Sequence, residues 1–367
     1  MRFWFLAAAL LLPSCLRSAR AFGQDELQRL REEAQRESEK GAAPEQAEAP
    51  IDLTAFNPRV TVFGDATLAA VSGTLRNEDG DDVGDRFSLR ETELDFRADI
   101  DPFAKGVAIL ALAEETPGVF ELEAEEVYAS FHALPWNLKL EAGRFRTSFG
   151  QVNRLHTHDL PQTDRPLAVR NFLGEEGDIQ NGLRLEYLVP GMAAPTLRLS
   201  YELVNGENDR VLAGPGSDVP AHLGRVAAFF DLGGVSWLEL GGSVLGGRAE
   251  AGGGTTLLAG ADLLFKWRPA ERSELRSLVL QVEAFTLDRK LAGQQIHSSG
   301  AFGSLLWQQD RRWYLGLRGD WSQFADVDRG DEWALSGWIS YYTSEFLRLR
   351  LGYEHLESSR QEADDLV

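Results

Sequence analysis

The chain has 367 residues, with 57 acidic side chains against 37 Lys and Arg and a formal net charge of −20. This acidic balance excludes most nucleic-acid binders, which need a basic surface against phosphate, and the single cysteine excludes an internal disulfide. No apolar run after the N-terminus reaches the roughly eighteen residues of a transmembrane helix, so a membrane interpretation has to use strands.

The first residues, MRFWFLAAALLLPSCLRSARA, predict a signal peptide over residues 1–21. Arg2 supplies the positive start, an apolar stretch follows, and Ala19-Arg20-Ala21 fits a small-x-small cleavage site. Leu12-Pro13-Ser14-Cys15 also resembles a lipobox, so lipidation at Cys15 is the alternative. Either route takes the chain out of the cytoplasm of a bacterium with two membranes.

Residues 22–41 predict a short helical leader, because Leu27, Leu30 and Ala34 have the spacing of a coiled-coil seam. A solvated helix and a short coiled coil that joins a homotrimer are both compatible with this pattern. Residues 42–55 are rich in Ala, Pro and Glu and predict a linker. The folded part is then expected over residues 56–367.

From Arg59 onward, polar and apolar residues alternate with a period of two, which is typical of half-buried strands. In ETELDFRADI, for example, Leu94 and Phe96 share one face while Asp95 and Arg97 share the other. Repetition of this alternation in segments of about ten residues is the signal of an outer-membrane barrel. We place fifteen strands near residues 59–70, 88–100, 106–115, 120–133, 138–149, 181–189, 195–204, 222–232, 235–246, 255–267, 276–288, 298–308, 313–323, 332–342 and 346–357.

The connections between these strands alternate between short and long, as in barrels with short periplasmic turns and long external loops. A soluble β-sandwich, the competing fold, gives no reason for this alternation. The sequence therefore predicts an all-β, antiparallel transmembrane barrel of about 14–16 strands. Fifteen strands leave the first and last running in the same direction, so either the closing strand is missing and the chain truncated at its C-terminus, or the count of strands is wrong by one. Either a gap one strand wide or a parallel seam is expected there.

In LKLEAGRFRTSFG the pattern predicts that Leu138, Leu140 and Ala142 contact lipid and that Phe145 does so after a phase slip at Gly143. The charged residues of the opposite face are expected to line the lumen. The same reasoning on other strands gives a lining of mixed charge, which is typical of general diffusion and not of phosphate selection. The predicted pore-lining residues are Glu93, Asp95, Arg97, Asp99, Lys139, Glu141, Arg144, Arg146, Arg184, Arg348 and Arg350.

Three stretches resemble a known family of outer-membrane barrels. They are FNPRVTVFGD, SLRETELDFRADIDPFAKGVAILALAEE, and EEVYASFHALPWNLKLEAGRFRTSFGQVNRLHTHDLPQTDRPLAVRNFLGEEGDIQNGLRLEYLVP. Members of that family are described as phosphate-selective-porin-like proteins or as zinc-regulated outer-membrane receptors. The resemblance is dense from about Phe56 to Pro190. It implies a porin-like barrel in the bacterial outer membrane.

The connection over residues 151–181, which contains NRLHTHDLPQTDRPLAVRNFLGEEGD, is too long for a passive turn and is expected to form a constriction inside the barrel. The resemblance places His156 and His158 at the family's His-x-His motif. In an extended segment these two side chains share a face, where Asp159 or Asp164 would complete a Zn²⁺ site. The alternative is a polar constriction without metal. The metal ligands are then His156, His158 and Asp159, and the constriction residues are Arg165, Arg170, Glu175 and Glu176.

No motif of a nucleotide, redox or serine-hydrolase site occurs, so no enzyme is predicted, and no cofactor apart from the zinc alternative. The expected function is passive diffusion of small hydrophilic solutes or ions across the outer membrane, with lipid and lipopolysaccharide as neighbours. A surface-binding, receptor or structural barrel, without a TonB-type plug, is the competing function. A channel places the 151–181 connection inside the lumen, whereas a binder places it outside.

Overall fold

The computed structural model describes residues 2–9, 58–72, 86–132, 134–191, 194–269, 271, 275–327 and 329–360. The predicted leader, the linker and Cys15 lie outside these ranges. Within them the chain is all-β apart from one short α-helix, α1 (Leu167–Leu173), and 3-10 turns at Pro135–Asn137, Val152–Arg154, Thr157–Asp159 and Gly214–Gly216. None of the described helices is long and apolar enough to cross a membrane.

All fifteen strands predicted from the alternation are confirmed, with ends that differ by a few residues, and one further strand precedes them. The strands are β1 (Arg2–Ala9), β2 (Arg59–Val71), β3 (Phe87–Asp101), β4 (Ala104–Thr116), β5 (Val119–Phe131), β6 (Leu138–Arg146), β7 (Ile179–Leu188), β8 (Thr196–Val204), β9 (Ala221–Asp231), β10 (Trp237–Gly247), β11 (Thr255–Trp267), β12 (Ser277–Leu291), β13 (Gln294–Gln308), β14 (Trp313–Gln323), β15 (Asp331–Tyr342) and β16 (Arg348–Ser358).

Strands β2 to β16 form one antiparallel sheet in which each strand pairs with the next in sequence, and β1 closes it into a barrel. The predicted gap of one strand between β2 and β16 is confirmed, because β1 lies between them and pairs antiparallel with both. Residues 2–9 belong to the predicted signal peptide. Its removal would leave two strand edges open in lipid, where each unsatisfied backbone group costs several kcal/mol.

Side chains alternate between the inside and the outside of the barrel along each strand. On β9, Leu223, Arg225 and Ala227 are buried, whereas Gly224 and Val226 between them are exposed. The outer face is largely apolar, as a surface in contact with lipid requires. The inner face carries most of the charged residues of the strands.

Aromatic side chains collect at the strand ends, in the position of the interfacial girdles of membrane barrels. Trp321 and Trp333 lie at the end with the long connections, and both are partly exposed. The end with the short connections carries the larger set. Its exposed tryptophans are Trp136, Trp267, Trp307 and Trp313.

The predicted alternation of connection lengths is confirmed for most of the barrel. One end has short turns such as 102–103 and 309–312, and the other has the long connections 147–178 and 205–220. The connection between β12 and β13 was expected to be long but is only 292–293, because both strands extend into it. The longest connection within the described ranges, 147–178, folds inward, and it is called the infolded segment below.

Candidate functional site

The strand that leads into the infolded segment corrects one sequence prediction. β6 pairs with β7 without a slip along its whole length, so the alternation continues straight through Gly143. Phe145 therefore shares the inner face with Glu141, and Arg144 lies on the outer face. Phe145 is fully buried, with the Arg184 guanidinium carbon 4.3 Å from its ring centre. The predictions that Phe145 contacts lipid and that Arg144 lines the lumen are wrong.

The infolded segment crosses the interior of the barrel and reaches opposite walls. His158 Nδ1 lies 2.9 Å from Glu93 Oε1 on β3. Gln151 Nε2 donates to Asp262 Oδ1 on β11 at 3.0 Å. In the closed ring of strands, β3 and β11 lie across from each other. The segment therefore occupies the middle of the lumen.

Apolar packing fixes one side of the infolded segment. Phe149 and Phe172 pack edge-on against Phe285 of β12, with ring centres 5.3 and 6.1 Å apart. Phe149 and Phe172 are fully buried, so this part of the interior holds a hydrophobic core where a wide porin would hold water. The same cluster includes Val152, Leu160, Val169, Leu173, Val204, Leu212, Leu223, Leu245, Leu258 and Phe302.

A methyl group added at Gly260 tests this packing. A Cβ at that position of β11 would lie 2.8 Å from the Phe149 ring and 3.2 Å from Phe285. We expect Gly260→Ala to lower the free energy of unfolding by about 1–3 kcal/mol, the usual result of overfilling a packed core. Gly224→Ala is the control, since its Cβ would meet no atom within 4 Å. Equal urea midpoints for both variants would contradict a tightly packed interior.

A buried ion cluster fixes the infolded segment to β14 and β16. Arg318 is fully buried and its Nε donates to Asp320 Oδ2 at 2.6 Å. Its Nη1 donates to Asp164 Oδ1 of the segment at 3.2 Å, and its Nη2 donates to Glu354 Oε2 at 3.1 Å. One guanidinium therefore joins three carboxylates, of which only that of Asp164 belongs to the segment.

Arg348 and Arg350 point into the barrel, as the sequence predicts, but they hold the infolded segment. Arg348 Nη2 donates to the His158 carbonyl at 2.7 Å. Arg350 donates to the Leu160 carbonyl at 2.8 Å and also to that of Gln162. Both guanidinium groups thus use their N–H donors on backbone carbonyls of the segment.

The four predicted constriction residues also bind within the segment or at its edge. Arg165 is buried and donates to the carbonyls of Val152 at 3.2 Å and Leu155 at 2.8 Å, and its burial lowers its pKa to about 10. Its hydrogen bonds join two parts of the segment. The other three are near these partners: Arg170 lies 3.9 Å from Asp164 and 3.8 Å from Glu175, and Glu176 accepts a hydrogen bond from Thr157 Oγ1 at 3.0 Å.

His156 and His158 meet two carboxylates of the barrel wall. Their rings are stacked with centres 5.8 Å apart. His156 Nδ1 lies 2.8 Å from Glu125 Oε2 and 3.4 Å from Glu93 Oε1, which is also the partner of His158. Burial alone would lower the pKa of His156, but its hydrogen bonds with Glu125, Glu126 and Glu93 outweigh that effect and raise the pKa to about 11.

The aspartates predicted as third metal ligand lie elsewhere. Asp159 Oδ1 is 3.5 Å from His158 Nε2, on the ring edge that faces away from Glu93, and its side chain is 56% exposed. Asp164 is the partner of Arg318. Glu93, predicted only as a pore-lining residue, and Glu125 are the carboxylates at Nδ1 of the two histidines, and Glu126 Oε2 lies 3.9 Å from His156 Nε2.

Glu125 was missed from the sequence because an irregularity hides it. β5 contains the adjacent pair Glu125 and Glu126, of which strict alternation would place only one inside. The pairing with β4 shifts register between Ile109 and Leu110, and this β-bulge turns both glutamates inward. Two adjacent acids within an alternating strand were the signal that could have located it.

The remaining predicted pore residues lie towards the end with the short connections. Arg97, Asp99, Lys139 and Glu141 line a cavity of about 310 Å³ there. Opposite charges pair around it, with Lys139 Nζ 2.6 Å from Glu141 Oε1. The further pairs on this side are Arg97 with Asp95 at 3.0 Å and Arg184 with Glu141 at 2.7 Å. Arg146 lies at the opposite end of β6 and pairs with Glu125 at 2.7 Å.

Comparison with known proteins agrees with this architecture. No family model matches the chain. An uncharacterised protein of Aquifex aeolicus is 28% identical over 306 residues, which cover 72% of this chain and 62% of that protein. The anion-selective porin of Comamonas acidovorans superposes with a TM-score of 0.51 at 14% identity, covering 82% of this chain and 90% of the porin. The outer-membrane channel DcaP of Acinetobacter baumannii gives 0.51 at 11% identity, covering 86% and 100%. The chain therefore has the fold of the bacterial outer-membrane porins.

Proposed function

We propose that this protein is an outer-membrane channel for passive diffusion of small hydrophilic solutes or ions, with the infolded segment as its constriction. The observation that carries the proposal is the position of that segment, which lies across the lumen between β3 and β11. A surface-binding barrel would hold its longest connection outside. The outward apolar face and the aromatic ends support a place in the outer membrane.

The charges of the interior favour small ions over large anions. Arg348 and Arg350 bind carbonyls of the segment, and Lys139 and Arg184 share Glu141. A pore that selects phosphate needs a ladder of cations free of such partners. Phosphate selection, implied by the family resemblance, is therefore not part of the proposal. The homotrimer rests on the predicted leader and stays a prediction.

The proposal is tested in planar lipid bilayers. We expect purified, refolded protein that retains residues 2–9 as its closing strand to give discrete ion conductance steps, because charged side chains line a cavity of about 310 Å³ beside the infolded segment. The same preparation unfolded before addition is the control. A folded barrel that never conducts at any applied voltage would favour a binding or structural function instead.

A further inference from the structure

We infer that Glu93, Glu125 and His156 form a binding site for a divalent transition-metal ion inside the barrel. One potential ligand atom from each residue lies within 4.8 Å of the other two. The inference goes beyond the proposed channel function and does not depend on conduction, since a barrel that never conducts could still bind the ion. A bound metal ion follows neither from the porin fold nor from the compared proteins.

The donor atoms are spaced as a small coordination sphere requires. Zn²⁺ bonds of about 2.0–2.2 Å in tetrahedral geometry put neighbouring donors roughly 3.3–3.6 Å apart. His156 Nδ1 lies 3.4 Å from Glu93 Oε1 and 2.8 Å from Glu125 Oε2. The ion would take the place of the proton that His156 Nδ1 shares with these carboxylates, and that proton would be released to water. Small rotations of the side chains then suffice to accept the ion, and a fourth position stays free for water or a solute.

The three ligands are held by further contacts that orient them. Glu93 and Glu125 come from strands and are 1% and 4% exposed. Arg146 Nη2 donates to Glu125 Oε1 at 2.7 Å, which leaves Oε2 for the metal. His158 Nδ1 lies 2.9 Å from Glu93 Oε1. His158 is therefore a positioning residue that orients the Glu93 carboxylate. Residues that hydrogen-bond to metal ligands in this way are common around protein metal sites.

The position of His158 is itself fixed. Its ring stacks on Phe63 of β2, with ring centres 4.0 Å apart and planes inclined by 12°. The backbone carbonyl of His158 accepts a hydrogen bond from Arg348. The site is therefore built by β2, β3, β5 and β16 together with the infolded segment, and no flexible surface side chain is needed.

The donor set selects the class of ion. One imidazole and two carboxylates with an open position suit Zn²⁺, Co²⁺ or Ni²⁺, whereas Ca²⁺ and Mg²⁺ prefer oxygen ligands alone.

The barrel wall beside the site carries negative charge, which attracts cations. Glu121 and Glu123 share the inner face of β5 with Glu125 by alternation, and both are exposed. They continue the negative surface from the site towards the end with the long connections.

The test uses the full-length protein in detergent after removal of metals with EDTA. Calorimetric titration with Zn²⁺ should give one site per chain, and Co²⁺ should give the visible absorption of a low-coordinate ion. We expect Glu125→Gln and His156→Gln each to weaken Zn²⁺ binding at least tenfold. His222→Gln is the control, since His222 is exposed on β9, away from the site.

Three outcomes would overturn the inference. The first is a wild-type protein that binds neither ion. The second is equal binding by wild type, Glu125→Gln and His156→Gln, which would place the ion elsewhere. The third is loss of binding in the control variant His222→Gln. The heat-induced mobility shift of each variant in detergent gels shows that its barrel is folded, so weakened binding in Glu125→Gln with an intact shift reports on the ligand itself.

Discussion

Replacing Arg318 by methionine should lower the free energy of unfolding by about 3–5 kcal/mol, the usual effect of breaking a buried ion cluster by removing one partner. The side chain is fully buried and bonds to Asp164, Asp320 and Glu354. Methionine fills similar space but leaves Asp320 and Glu354 without their cation, and Asp164 with only Arg170 at 3.9 Å. Urea-induced unfolding in detergent, followed by tryptophan fluorescence, measures the change.

Two further variants separate charge from geometry at this cluster. Arg318→Lys keeps the charge but not the planar fork that reaches three partners, so an intermediate loss of stability is expected. Adding Asp320→Asn and Glu354→Gln to Arg318→Met removes two of the three carboxylate charges and should recover part of the stability. A wild-type midpoint for Arg318→Met would show that the cluster contributes nothing to holding the infolded segment.

Replacing residues 150–176 by a short Gly-Ser linker should raise the single-channel conductance several-fold. Porin barrels of sixteen to eighteen strands enclose an aqueous channel, and the infolded segment fills the middle of this one with a hydrophobic core. The wall carboxylates that it contacts would then be hydrated by lumen water. Planar-bilayer recording on the purified variant measures the conductance.

The same linker inserted at 292–293, the exposed turn between β12 and β13, is the matched control and should leave conductance unchanged. Equal conductance of the linker variant and the wild type would mean that solutes pass by a route that the segment does not narrow. The constriction assigned to it would then be wrong.

The strands could be predicted from the sequence because lipid on one side and polar groups on the other impose a strict two-residue alternation. All fifteen appear where that alternation places them. The pattern of polarity fails at Phe145, although the backbone alternation is regular there. The barrel interior at this position is apolar, so hydrophobicity no longer distinguishes inside from outside. Backbone pairing, and not side-chain polarity, decides that Phe145 faces Phe149 and its neighbours.

The site was predictable only in part. The long connection with its His-x-His motif predicted a functional segment inside the barrel, and the structure brings His156 and His158 together. Their carboxylate partners, Glu93 and Glu125, come from strands whose distance to the segment no local pattern encodes. The β-bulge that turns Glu125 inward is a property of the pairing between β4 and β5, which the sequence of β5 alone does not reveal.

The position of the infolded segment also sets the order in which the molecule matures. Arg350 of β16 binds carbonyls that lie 188 and 190 positions earlier in the chain, and these bonds cannot form before β16 has docked. While β16 is still unpaired, the infolded segment has no partner on that wall, and the unclosed sheet encloses water. The newly inserted protein is therefore expected to conduct ions most readily just before its last strands dock. Docking of these strands fixes the infolded segment across the lumen and so completes the constriction as the final step of assembly.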